Sequence, residues 1–190
     1  MVRRELPQFG VENDGGVVKN QQVSESEPNW GEAAHVEFDV RDRAGFVTQA
    51  RQRVVGLCTK YLQPSETTAQ LIMTAQELLE NVAKYSSGSG ARFDFELRDE
   101  CGRPTVRMRT ENPASPQHLH KAIEMLDEII AERDPQGLYD RWVAQSGERE
   151  GSGLGLIRIR AEAGLTLSYT NEADKLCLEV VGPAPAKRSS

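Results

Sequence analysis

Five short runs in which apolar and polar residues alternate limit most strongly what this chain can fold into. Val36, Phe38 and Val40 alternate with polar neighbours, as do Phe93, Phe95 and Leu97. Val106 and Met108 continue the pattern, followed by Leu165, Leu167 and Tyr169, then by Leu176, Leu178 and Val180. Successive side chains of a strand point to opposite faces, so each run predicts a strand with one apolar and one wet face. One-sided alternation belongs to antiparallel or mixed sheets rather than to parallel sheets buried on both faces. Between the runs the apolar period changes to that of a helix. Phe46, Ala50, Val54, Leu57, Cys58 and Tyr61 form one stripe, and Leu71, Ala75, Leu78, Leu79 and Val82 a second. Leu119, Ala122, Ile123, Leu126, Ile129 and Ile130 form a third. A shorter helix is expected after Gly155, stopping at Gly164, a residue suited to a C-terminal cap. The order is strand, two helices, two strands, helices, a glycine-opened helix and two strands. It predicts a two-layer α/β sandwich: a mixed, mostly antiparallel sheet with helices on one face.

The flanks read differently. Residues 1–33 hold no sustained period and combine Gly15-Gly16, Asn20-Gln21-Gln22 and Ser24-Glu25-Ser26-Glu27-Pro28, so a disordered tail is expected there. Residues 34–182 form the expected domain and 183–190 a short C-terminal tail. A chain of 190 residues suits one domain with tails and can bury a core without disulfides or metal staples.

Charge and cysteine usage exclude several classes of function. The formal net charge is -6 and no basic cluster stands out, which argues against nucleic acid and anionic membrane surfaces as partners. Cys58, Cys101 and Cys177 are scattered and form no CxxC pair, so neither a zinc site nor a disulfide framework is expected. Two arginines near the N-terminus are followed by no apolar signal core, and no stretch approaches the roughly 18 apolar residues of a membrane span. The expected location is the reducing cytoplasm.

Two segments carry chemistry. In Glu77-Leu-Leu-Glu-Asn81-Val-Ala-Lys84-Tyr85, helical spacing puts Glu77, Asn81, Lys84 and Tyr85 on one face, opposite the apolar stripe. A carboxylate, an amide and a cation in a row can serve an attacking hydroxyl, a magnesium ion and a phosphate in turn. Alone, the same face is equally the solvated side of an amphipathic helix. The second segment, Gly151-Ser-Gly153-Leu-Gly155-Leu156, directly precedes the last helix. Glycines let a backbone approach a phosphate, and a helix N-terminus supplies unpaired N–H groups. No Gly-Lys-Ser/Thr follows, so this is not a Walker A loop, and Leu156 stands where a dinucleotide fingerprint needs glycine. His118 and His120 are two residues apart near a helix start, a spacing that does not face two metal ligands at each other. Leu138, Tyr139 and Trp142 can be core or part of a lid; the sequence leaves both open.

Together and in this order, the asparagine helix and the GSGLGL turn resemble the asparagine box and second glycine box of the GHKL (Bergerat-fold) ATP-binding superfamily. The resemblance spans about residues 35–182. The helix expected near 115–133, Asp-Pro-Gln-Gly-Leu-Tyr at 134–139 and GSGLGLIRIRAEAG resemble the SiaB-type group of bacterial partner-switching, anti-sigma-factor-like serine kinases. The resemblance implies ATP and Mg2+ as ligands, with Asn81 holding the metal and Glu77 accepting the proton of a substrate serine. It implies Lys84 near the phosphates, Tyr85 near the nucleoside, and Gly151, Gly153, Gly155 and Leu156 as the phosphate-binding turn and helix start. One departure stands out. The superfamily's Asp-x-Gly-x-Gly box, whose aspartate recognises the adenine amino group, is replaced by Thr110-Glu111-Asn112-Pro113-Ala114. Asn112 or Glu111 is then the polar partner offered to a base, or nucleotide binding is weakened or lost. The implied function is an ATP-dependent serine/threonine kinase acting on a small antagonist protein. The alternative is a non-catalytic module that sequesters a sigma factor or antagonist. A homodimer through outer helices remains open.

Overall fold

The computed structural model describes residues 34–39, 43–86, 90–99, 103–145, 153–172 and 174–187. The expected N-terminal tail of residues 1–33, Val40, Cys101, Gly151 and residues 188–190 lie outside the described residues. The elements are β1 (Ala34–Asp39), α1 (Arg43–Tyr61), α2 (Glu66–Tyr85), β2 (Arg92–Asp99) and β3 (Pro104–Pro113), followed by α3 (Pro116–Ala131), α4 (Pro135–Ala144), α5 (Leu154–Ala161), β4 (Thr166–Glu172) and β5 (Lys175–Pro183). The strands form one sheet in the order β1-β2-β3-β5-β4. Every pairing between these strands is antiparallel, a narrower result than the mixed sheet the alternation also allowed.

Strand register explains why the apolar residues alternate. Phe95 lies opposite Met108, Met108 opposite Val180 and Val180 opposite Leu167, so a single apolar row crosses four strands. Phe93, Phe95, Met108 and Val180 are fully buried beneath helical side chains, including Ala50 and Val54 of α1 and Leu78 and Leu79 of α2. Each such side chain contributes about 1.5–3 kcal/mol through burial. The intervening positions carry charge: Asp94 pairs with Arg109 and Glu96 with Arg107 in the ladder. Arg107 also reaches Glu179 on β5 at 2.8 Å. The helices therefore cover one face and the other is charged, as a two-layer α/β sandwich requires.

Local signals set the helix starts. The Ser65 side chain accepts a hydrogen bond from the Thr68 backbone N–H at 3.2 Å and caps α2. Ser115 accepts from the His118 N–H at 3.4 Å, with Pro116 in the first turn of α3. Both are capping geometries, and at α3 the proline sits where a missing N–H costs nothing. The Asp-Pro-Gln-Gly segment is the start of a separate helix, with Asp134 accepting from the Gly137 N–H at 3.0 Å. That helix buries Leu138 to 3% exposure and Trp142 to 1%, which decides that both belong to the core. The last helix begins at Leu154, one residue ahead of Gly155, because Gly153 takes the capping position in a left-handed conformation. It ends at Ala161, before Gly164 at φ 62°.

The chain's end is tied down further than the sequence suggests. Ala186 bridges to Leu62, the Gln63 N–H donates to the Pro185 carbonyl at 2.8 Å, and the Lys187 N–H donates to that of Tyr61 at 3.1 Å. Residues 184–187 of the expected tail thus pack against the end of α1. Among the described residues, no helix is long and apolar enough to cross a membrane.

Candidate functional site

The apolar stripe of α2 fixes where its polar residues go. Leu71, Ala75, Leu78, Leu79 and Val82 are at most 1% exposed and face the sheet and neighbouring helices. Glu77, Asn81, Lys84 and Tyr85 are rotated away and line a cavity of about 610 Å³. Gly153, Gly155 and Leu156 from the start of α5 line the same cavity, as does Asn112 from the end of β3. The structure therefore gathers the candidate residues into one place except Glu111, which does not line the cavity, and Gly151, which is outside the described residues. Leu176, Leu178, Ala114 and Leu126 line part of the cavity with apolar surface, and α3 contributes His118, Lys121, Met125 and Glu128.

Two glycines show how closely the walls approach. Gly153 has φ +60°, a conformation that side-chain-bearing residues rarely adopt. A β-carbon there would overlap the Met125 sulfur and stand 3.0 Å from the Trp142 ring. At Gly155 a β-carbon would overlap Oε2 of Glu77, so the carboxylate packs directly against the first turn of α5.

The Glu77 carboxylate has a second neighbour that the sequence patterns did not single out. Its Oε1 is 3.5 Å from Nη1 of Arg158, which also reaches Glu162 at 3.1 Å one turn along α5. Burial raises the Glu77 pKa above its ordinary value, and the charges of Glu80 and Glu162 add to that rise. The Arg158 guanidinium acts in the opposite direction. Arg158 itself is not among the cavity-lining residues. The signal available for it was a cation interrupting the otherwise apolar Leu154–Ile159 run, one turn after Gly155.

Of the two polar residues offered for a base, only Asn112 reaches the cavity. It is 9% exposed, and the hydroxyl of Ser86 donates to its Oδ1. Ser86 is the C-cap of α2, with its own N–H bonded to the Val82 carbonyl at 3.1 Å, so the pair fastens α2 to the end of β3. Glu111 falls on the opposite face of β3, where it pairs with Arg109 at 2.8 Å. The Lys84 ammonium lies 5.0 Å from the Tyr85 ring centroid, and that ring meets His118 edge-on at 6.2 Å.

Among the described residues, no cluster of three or more His, Cys, Asp or Glu can hold an ion. His120 instead pairs with Glu124 at 3.2 Å. Magnesium, which usually keeps several waters and takes few protein ligands, fits only with the Asn81 carbonyl oxygen plus phosphates of a substrate. The α5 start fits a phosphate: the Leu154 and Gly155 N–H groups have no intrahelical acceptor, and glycine at 153 and 155 leaves the backbone there bare of side chains. Compared with known protein families and with curated proteins, the chain matches none.

Proposed function

We propose that this protein is a GHKL-like, ATP-dependent serine/threonine kinase of a bacterial partner-switching system. Its substrate is a small antagonist protein in the cytoplasm. The observation that carries this reading is the convergence of Glu77, Asn81 and Lys84 with the glycine start of α5 on one cavity. Phosphoryl transfer asks a protein mainly for positioning and for charge stabilisation. The substrate serine oxygen attacks the γ-phosphorus, the bond from that phosphorus to the bridging oxygen breaks, and ADP leaves. Glu77 takes the serine proton. Lys84 and the free N–H groups of α5 steady the phosphate oxygens. Asn81 would hold a magnesium ion through its side-chain oxygen, and the ion would supply neutralisation of the phosphate charge.

Calorimetry with ATP, ADP and magnesium tests the pocket directly. Wild type is expected to bind, and Asn81→Ala to lose magnesium-dependent affinity with little change in melting temperature, because Asn81 is outside the core. Wild-type protein that ignores ATP at millimolar concentration sinks the kinase reading. Transfer of labelled phosphate to a candidate antagonist, lost in Glu77→Gln while ATP binding persists, tests the chemistry.

The Ser86–Asn112 hydrogen bond favours a second reading. An amide stands where the GHKL-like aspartate is expected, and its oxygen already accepts a hydrogen bond from the Ser86 hydroxyl. Such a pocket suits a module that sequesters a sigma factor or antagonist while binding nucleotide weakly. Tight complex formation without any phosphate transfer is the outcome that selects it.

A further inference from the structure

We propose that Arg158 is the positioning residue for Glu77, holding its carboxylate against the start of α5 at the cavity wall. This rests on the kinase reading of the same site. Three observations carry it. Glu77 is a cavity-lining side chain on α2, whereas Arg158 lies outside the lining, on α5. The two meet at 3.5 Å through Oε1 and Nη1, while Oε2 packs against Gly155. Arg158 is itself steadied by Glu162, whose Oε2 accepts from Nε at 3.2 Å and from Nη2 at 3.1 Å.

The geometry follows from helix direction. Helical side chains lean toward their own N-terminus, so a long side chain at position 158 reaches back over the first turn, where Gly155 leaves the carboxylate room. A carboxylate on a flexible stem populates several rotamers unless something holds it, and proton acceptance needs the acceptor oxygen within hydrogen-bond reach of the hydroxyl. Bracketing by Gly155 and Arg158 restricts Glu77 to one arrangement. The charged groups facing it are Glu80 from its own helix and Arg158 and Glu162 from α5, with Tyr139 of α4 near Arg158. Lys84, His118, Lys121, Glu124 and Glu128 line the shared cavity. Arg158 is the cation among them that pairs with the Glu77 carboxylate, and Glu162 completes a chain from cavity to surface. This is the arrangement of a base oriented by a third group.

The test is a double-mutant cycle on phosphate release from magnesium-ATP, with water in place of the serine hydroxyl. Its oxygen attacks the γ-phosphorus, ADP leaves, and the water proton passes to Glu77. Arg158→Gln is expected to lower kcat about tenfold to a hundredfold, with KM for ATP within about twofold. Arg158→Lys should restore most of the rate, since it returns the charge. In a Glu77→Gln background, Arg158→Gln should have no further effect, because a residue acting only through Glu77 has nothing left to position. Thermal melts of each variant report any loss of folding separately. Equal losses in both backgrounds, or a raised KM at unchanged kcat, overturn the role of Arg158 alone. Absent turnover in wild type overturns the kinase reading and this role together.

Discussion

The carboxylate of Glu77 occupies the space that a side chain at Gly155 would need, so a residue on α2 and a residue opening α5 are packed together without an intervening atom. The overlap is with the far end of a flexible side chain, so the helix can accept a methyl group if Glu77 moves aside. Gly155→Ala should keep or slightly raise stability, since alanine favours a helix over glycine by about 0.5–1 kcal/mol. Phosphoryl transfer should fall about a hundredfold or more as the carboxylate is displaced. Parallel melting and transfer assays check this, and full activity in the variant would show that the placement of Glu77 is irrelevant.

Gly153 should respond in the opposite way. It combines a φ of +60° with Met125 and Trp142 on the side where a β-carbon would stand. A left-handed conformation costs a non-glycine residue about 1–3 kcal/mol, and Met125 must shift as well. Gly153→Ala is therefore expected to lower the unfolding free energy by an amount in that range, seen as a lower urea midpoint at unchanged slope. An unaltered midpoint contradicts the constrained turn.

Arg160 should matter for stability but not for chemistry. Its Nη1 donates to the carbonyl of Ile129 and, at 3.3 and 3.2 Å, to those of Ile130 and Glu132, gathering the end of α3 onto α5. Those carbonyls have no helical N–H to accept from, and the helix dipole adds to the attraction for a cation. Arg160→Ala is expected to destabilise by about 1–3 kcal/mol. Hydrogen exchange should accelerate at the C-terminal turn of α3, and a uniform acceleration across the protein contradicts a local tie.

Cys58 is fully buried among core residues, and burial pushes its thiol up from 9.0 to about 11, only partly offset by a backbone hydrogen bond. The thiolate is the reactive form, so Cys58 should resist thiol reagents at neutral pH until the protein unfolds. The sign of the linkage is definite. Between pH 9 and about 11 the folded chain keeps a proton that the unfolded chain releases, so stability falls with rising pH across that window. Cys58→Ala should remove this share of the alkaline loss, which denaturant titrations at both ends of the window would measure.

Much of the site was legible because helical and strand periods report faces directly. Glu77, Asn81, Lys84 and Tyr85 had to share a side of α2 once Leu71, Leu78 and Val82 were assigned to its apolar stripe. Asn112 against Glu111 was harder, since both are polar and adjacent; the pairing of β3 with β2 and β5 points Asn112 inward and Glu111 to the charged face. Arg158 went unnoticed because a single cation in an apolar run also fits a solvated position. Its contact with Glu77 spans two helices that are roughly 80 residues apart in the chain.

By itself the sequence determined the number of strands, the alternation that makes the sheet one-sided, the stripes of the long helices, and the glycine stop after the last one. These depend on neighbours a few residues apart, and such spacings survive in a linear reading. Only the tertiary structure decided that the paired strands are antiparallel throughout, that Trp142 is core rather than lid, that residues 184–187 strap the end of α1, and that Glu77 meets Gly155 and Arg158. Each of those depends on which surfaces are packed together when the apolar faces leave water. That choice is made by the whole core at once, and no local spacing encodes it.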